Sequence, residues 1–70
     1  MKENWHTMIM RRVKNRTDAE LAFSRKDLRE VIEAQESLIK AGCSTPKYGE
    51  YVDELHYVNM EINRRERSMG

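Results

Sequence analysis

The sequence predicts an all-α chain: an antiparallel αα-hairpin preceded by a short N-terminal helical segment. Three observations predict it. Glycine and proline are scarce, at 3 and 1 in 70 residues. β-branched residues never alternate with polar ones over the length of a strand. Apolar residues recur at three- and four-residue spacing on both sides of one turn-forming stretch, "CSTPK" at 43–47.

The first long helix is predicted over 18–41. Thr17 and Glu20 have the spacing of a capping box, in which each side chain satisfies a free backbone N–H of the other residue. Asp18 places negative charge where the helix dipole favours it. Gly42 follows the last apolar residue and suits a left-handed C-terminal cap. Between these ends Leu21, Leu28, Val31, Ile32, Leu38 and Ile39 form an apolar stripe. Ser24 and Gln35 interrupt it where a strict heptad would be apolar.

The second helix is predicted over 46–66. Pro46 suits its first position, where a missing N–H costs nothing, with Thr45 or Ser44 as cap. Its seam is Tyr48, Tyr51, Val52, Leu55, Val58 and Ile62, with Asn59 intruding. Two helices joined by so short a loop fold back on each other. The hairpin domain thus covers 17–66, and residues 67–70 are expected to fray. Residues 1–16 form a separate basic segment. In it Trp5, Met8, Ile9 and Val13 are spaced like a helix stripe, so a short helix packing on the hairpin is expected.

A chain of 70 residues buries only about 60% of its unfolded surface and needs a staple. Cys43 is the lone cysteine, which excludes an internal disulfide and the framework of a small secreted domain. Oligomerisation is the remaining staple. Pairing two hairpins into a four-helix bundle would cover the apolar side each leaves exposed, so a homodimer is expected. Leu28, Leu55, Val58 and Ile62 would lead that assembly, and with Leu21, Val31, Ile32, Leu38 and Tyr51 they form the expected core and oligomer set.

Charged residues make up 36% of the chain, yet the net charge is only +1. That balance argues against a wholly basic nucleic-acid binder and against a disordered acidic tail. Apolar runs are too short to span a bilayer. The first residues, "MKENWHTMIMRR", lack the apolar core and cleavage site of a signal peptide, so a cytoplasmic chain is expected.

Catalytic and metal chemistry find little footing. Asp53 and His56 have the carboxylate-x-x-His spacing used twice in di-metal bundles, but Asp53 lies far from the seam and His56 only borders it. A solvated face is the simpler reading. His6, Cys43 and His56 do not form the close ligand pairs of a zinc site. No glycine-rich phosphate loop or nucleophile elbow occurs. A non-enzymatic chain without a cofactor is expected.

Charge distribution is more informative than its total. Residues 1–16 hold Lys2, Arg11, Arg12, Lys14 and Arg16 against Glu3, and residues 64–70 hold Arg64, Arg65 and Arg67 against Glu66. Both helices of the hairpin are acidic between these clusters. Antiparallel folding would gather both basic clusters at one end, where Arg11, Arg12, Lys14, Arg16, Arg64 and Arg65 could grip phosphates. Basic residues closing a helix also simply answer its dipole. Tyr57 lies opposite the seam. It is either an anchor for a partner, together with Arg64 and Arg65, or a lid under the N-terminal segment near Trp5 or Met8.

"TDAELAFSRKDLREVIEAQE", followed after a short turn by "YGEYVDELHYVNMEINRR", resembles small helical proteins of temperate, lambda-like bacteriophages. These are encoded in the early region between the exonuclease and excisionase genes. The resemblance spans about Thr17 to Arg65, and the Tyr-x-Asp-Glu-x-His-Tyr run ending in an arginine pair is its most specific part. Ser24 departs from the larger apolar residue of that pattern. The resemblance implies a non-enzymatic accessory protein, made early in infection or on prophage induction, in the host bacterial cytoplasm. Such a protein would modulate the host cell or the lysis–lysogeny choice by binding a host or phage protein. A nucleic-acid-associated regulator using the basic end is the alternative.

Overall fold

The computed structural model describes residues 4–69, and among them the chain forms three helices and no strand: α1 (Trp5–Lys14), α2 (Asp18–Lys40) and α3 (Tyr48–Met69). The chain is therefore all-α, as its sequence predicts, and α2 and α3 pair as the expected hairpin.

Local chemistry explains each boundary. The Asn4 side chain accepts the Thr7 N–H at 2.8 Å and starts α1. Arg11, Arg12 and Lys14 close it, where the dipole favours cations. The Thr17 hydroxyl accepts the Glu20 N–H at 3.1 Å, and Glu20 Oε1 accepts the Thr17 N–H at 2.8 Å. The capping box read from the sequence is thus formed on both sides. At the far end Gly42 takes φ 85°. Its N–H donates to the Ile39 carbonyl at 3.0 Å and that of Cys43 to the Leu38 carbonyl at 2.9 Å, the paired bonds of a Schellman cap. Lys40 is the last helical residue of α2 and Ala41 its cap, one position earlier than expected.

Helix α3 differs more from expectation. Pro46 is not its first residue. The Tyr48 N–H donates to the Thr45 carbonyl at 3.1 Å, so Pro46 occupies the second place of a tight turn, a position its fixed φ also suits. The helix starts at Tyr48 and continues beyond Glu66 to Met69, through most of the tail expected to fray. Two features hold that end: Arg65 is bonded across to the α1–α2 connection, and the Ser68 hydroxyl donates to the Arg64 carbonyl at 3.1 Å.

Helix α3 is shared by the other two. It packs antiparallel to α2, with Asp18 against Arg65 at one end and Glu36 against Tyr48 at the other. It packs parallel to α1, since His6 meets Tyr57 and Lys14 meets Arg65 at the same offset of 51 residues. Residues 5–14 of the N-terminal segment thus form a helix docked on the hairpin, while residues 1–3, with Lys2 and Glu3, and residue 70 lie outside the described residues. The buried apolar core consists of Ile9, Val13, Leu21, Leu28 and Val58, flanked by half-buried Trp5, Tyr51, Leu55, Tyr57 and Ile62. It sits where three helices meet, so Leu28 and Val58, expected to lead assembly between chains, are instead buried within one chain, with Leu55 and Ile62 packed against them. Toward the 41–47 connection only two helices remain, and Val31 and Ile32 are half-buried. Leu38, expected in the apolar stripe, is 43% exposed there, where no third helix among the described residues covers the pair.

Candidate functional site

The end of the molecule where α1 stops, α2 starts and α3 finishes carries most of its specific polar chemistry. Glu61 is only 5% exposed. A buried carboxylate needs donors on both oxygens, and three are supplied. Arg64 Nε donates to Oε1 at 3.0 Å and Arg64 Nη2 to Oε2 at 2.6 Å. Arg65 Nε donates to Oε2 at 2.8 Å. These bonds, Arg64 first, hold the Glu61 carboxyl down to about 2 from its ordinary 4.5, although burial pushes the other way.

Arg65 does more than pair with Glu61. Its Nη1 donates to Asp18 Oδ1 at 2.8 Å, and its Nη2 donates to the carbonyls of Arg16 at 2.7 Å and Lys14 at 3.1 Å. One planar guanidinium therefore joins α3 to the end of α1 and the start of α2. Arg16 is also drawn inward: its guanidinium donates to Ser24 Oγ at 3.3 Å and to Glu54 Oε2 at 3.4 Å. Ser24, which interrupts the apolar stripe, thus has a polar partner in Arg16.

The sequence-predicted basic end is thus brought together, and part of it faces inward. Arg11, Arg12 and Lys14 are exposed, and Arg64 is 62% exposed while bonded to Glu61. Arg65 and Arg16 are only 21% and 24% exposed. Tyr57 packs under α1, against His6, and also lines an open groove. Its hydroxyl stands 2.8 Å from His6 Nδ1 in a hydrogen bond, and the two rings meet edge to face at 5.9 Å. Trp5 stacks edge to face on His6 at 5.1 Å, which continues the aromatic contact along α1.

Beside Tyr57 a groove of about 640 Å³ runs between α1 and α3. Met10, Val13, Tyr57 and Met60 form its apolar surface, and Lys14, Arg64 and Arg67 stand along its edge. Met10 is 39% and Met60 52% exposed. Glu61 is the one carboxylate among the lining residues, and it is already bonded to both arginines. Neither methionine stands out in the sequence, because a lone Met on a charged helix carries no periodic signal.

A second apolar surface lies at the opposite end, where Leu38, Ile39 and Val52 are exposed. Asp53 and His56, with metal-ligand spacing in the sequence, both lie on the exposed face of α3. Among the described residues no group of three or more His, Cys, Asp or Glu side chains is placed to hold a metal ion. No helix among them is long and apolar enough to cross a membrane. Cys43 is exposed in the connection after α2. Compared with known protein families, curated proteins and solved structures, the chain matches none.

Proposed function

We propose that the chain is a small non-enzymatic accessory protein that acts by binding other proteins, first a second copy of itself. One observation carries this reading: Leu38, Ile39 and Val52 lie exposed at the end of the hairpin that α1 does not reach. A second hairpin laid across that end would bury them and complete a helical bundle. The radius of gyration of 13.8 Å exceeds the about 11 Å of a compact chain of this length, consistent with a protomer whose closure awaits a neighbour.

Protein is favoured over nucleic acid as the further partner. Arg16 and Arg65, two of the cations expected to grip phosphate, are engaged within the molecule. The resemblance to lambda-like early-region proteins supplies the setting: a phage protein in the host cytoplasm that biases host physiology or the lysis–lysogeny choice through a host or phage protein.

Sedimentation equilibrium tests the assembly. The wild-type chain should be dimeric, and Leu38→Glu with Ile39→Glu should be monomeric while keeping its helical circular dichroism. A monomeric wild type would sink the dimer. Capture of host proteins by the tagged full chain, with nuclease added, tests the wider reading, which fails if no discrete protein is retained.

A further inference from the structure

We propose, on the footing of the protein-binding reading above, that the α1–α3 groove docks an acidic amphipathic helix of a partner protein. Its shape favours a helix. Two parallel helices form its walls, and its α3 wall runs from Tyr57 to Ser68, a rise of about 16 Å or three helical turns. A helix laid there would present anchors at i, i+3 or i+4, and i+7.

The lining chemistry selects the partner's sequence. Met10, Val13, Tyr57 and Met60 offer an apolar strip for aliphatic or aromatic anchors. Methionine adapts its shape to such anchors, and a tyrosine held by His6 gives one rigid wall. Lys14 and Arg67 add positive charge beside the strip, and its carboxylate, Glu61, is neutralised by Arg64 and Arg65. A partner carrying Glu or Asp beside its apolar anchors meets complementary charge, whereas a basic helix meets repulsion. A nucleic-acid backbone could use the cations but would leave the apolar strip wet. The groove also lies at the other end from Leu38 and Ile39, so the proposed dimer leaves it open.

The probe is a helix-stapled peptide of about 14 residues, roughly four turns, with leucine anchors at i, i+4 and i+7 flanked by glutamates. It is titrated into the isotope-labelled full chain and followed by NMR of backbone amides and methionine methyls. Shifts should concentrate at Met10, Tyr57 and Met60. Lys14→Glu with Arg67→Glu should weaken binding about tenfold or more, as should Met60→Ser, which changes the apolar strip alone. The same peptide with lysine for glutamate should not bind.

Absence of binding, shifts confined to Leu38, Ile39 and Val52, or equal affinity of wild type and both variants would overturn the proposal. So would a single-stranded oligonucleotide that binds the groove more tightly than the acidic peptide. Host-protein capture separates this failure from that of the wider reading. Equal retention by wild type and by the Lys14→Glu, Arg67→Glu chain rejects the groove while protein binding stands. Loss of all retained protein in both rejects protein binding itself.

Discussion

Glu61 shows how much a single residue's role depends on what covers it. On a helical wheel it is one acid among many, yet in the fold it is buried and receives bonds from Arg64 and Arg65. Its carboxyl is held down to about 2, whereas an unfolded carboxyl of this type titrates near 4.5. The native state therefore releases this proton more readily than the unfolded state does. The stabilisation is complete above about 4.5 and is lost as pH falls toward 2. Glu20 adds in the same direction, because the Thr17 backbone N–H holds its carboxyl below the ordinary value. Thermal melts between pH 7 and 2 should show Tm falling across that acid window. In Glu61→Gln the fall should shrink, because the group that titrates there is gone. An unchanged acid limb would contradict the role assigned to Glu61.

At the scale of the elements, the glycine just past α2 and the glycine in the first turn of α3 make opposite demands. Gly42 closes α2 at φ 85°, a backbone conformation that costs an L-residue roughly 1–2 kcal/mol. Gly49 sits in the first turn of α3, and a Cβ built there would meet nothing within 4 Å. The same substitution should therefore act with opposite signs: Gly42→Ala destabilising by about 1 kcal/mol and Gly49→Ala stabilising by up to about 1 kcal/mol. Urea unfolding of the two variants checks both at once. The helix ends also mark how far local sequence reaches. The Thr17–Glu20 box and the Gly42 cap are legible because both partners of each bond lie within six residues. The start of α3 was displaced because Pro46 suits both a helix's first residue and the second place of a turn. Only the Tyr48 to Thr45 bond distinguishes them.

For the molecule as a whole, flatness is the dominant property. It measures 44 × 34 × 15 Å, and its buried apolar core is confined to the end where α1 joins the hairpin. The remaining half is a bare two-helix pair, an arrangement with little to hold it in isolation. If a second copy completes it, folding and association are linked by mass action. Tm should then rise with protein concentration over the micromolar range in the wild type and be independent of it in Leu38→Glu, Ile39→Glu. Concentration-independent melting of the wild type would argue against the dimer.

The sequence by itself determined the helical class, the hairpin, the capping box, the glycine cap and the stripe containing Ile9 and Val13. All of these are set by neighbours within about a turn, through backbone bonding and the helical repeat. What only the tertiary structure decided is which side chains of a charge-rich surface turn inward. Arg65 and Arg16 read as free cations until the α1–α2 connection is laid across the end of α3, and Ser24 reads as a flaw until Arg16 reaches it. The packing of Tyr57 on His6 depends on the path of α1, which the residues around Tyr57 do not set. The groove edged by Lys14, Arg64 and Arg67 likewise exists only once α1 lies parallel to α3. Apart from Arg16 to Ser24, eight residues away, these side-chain contacts join positions 47 to 51 residues apart, so no local periodicity encodes them.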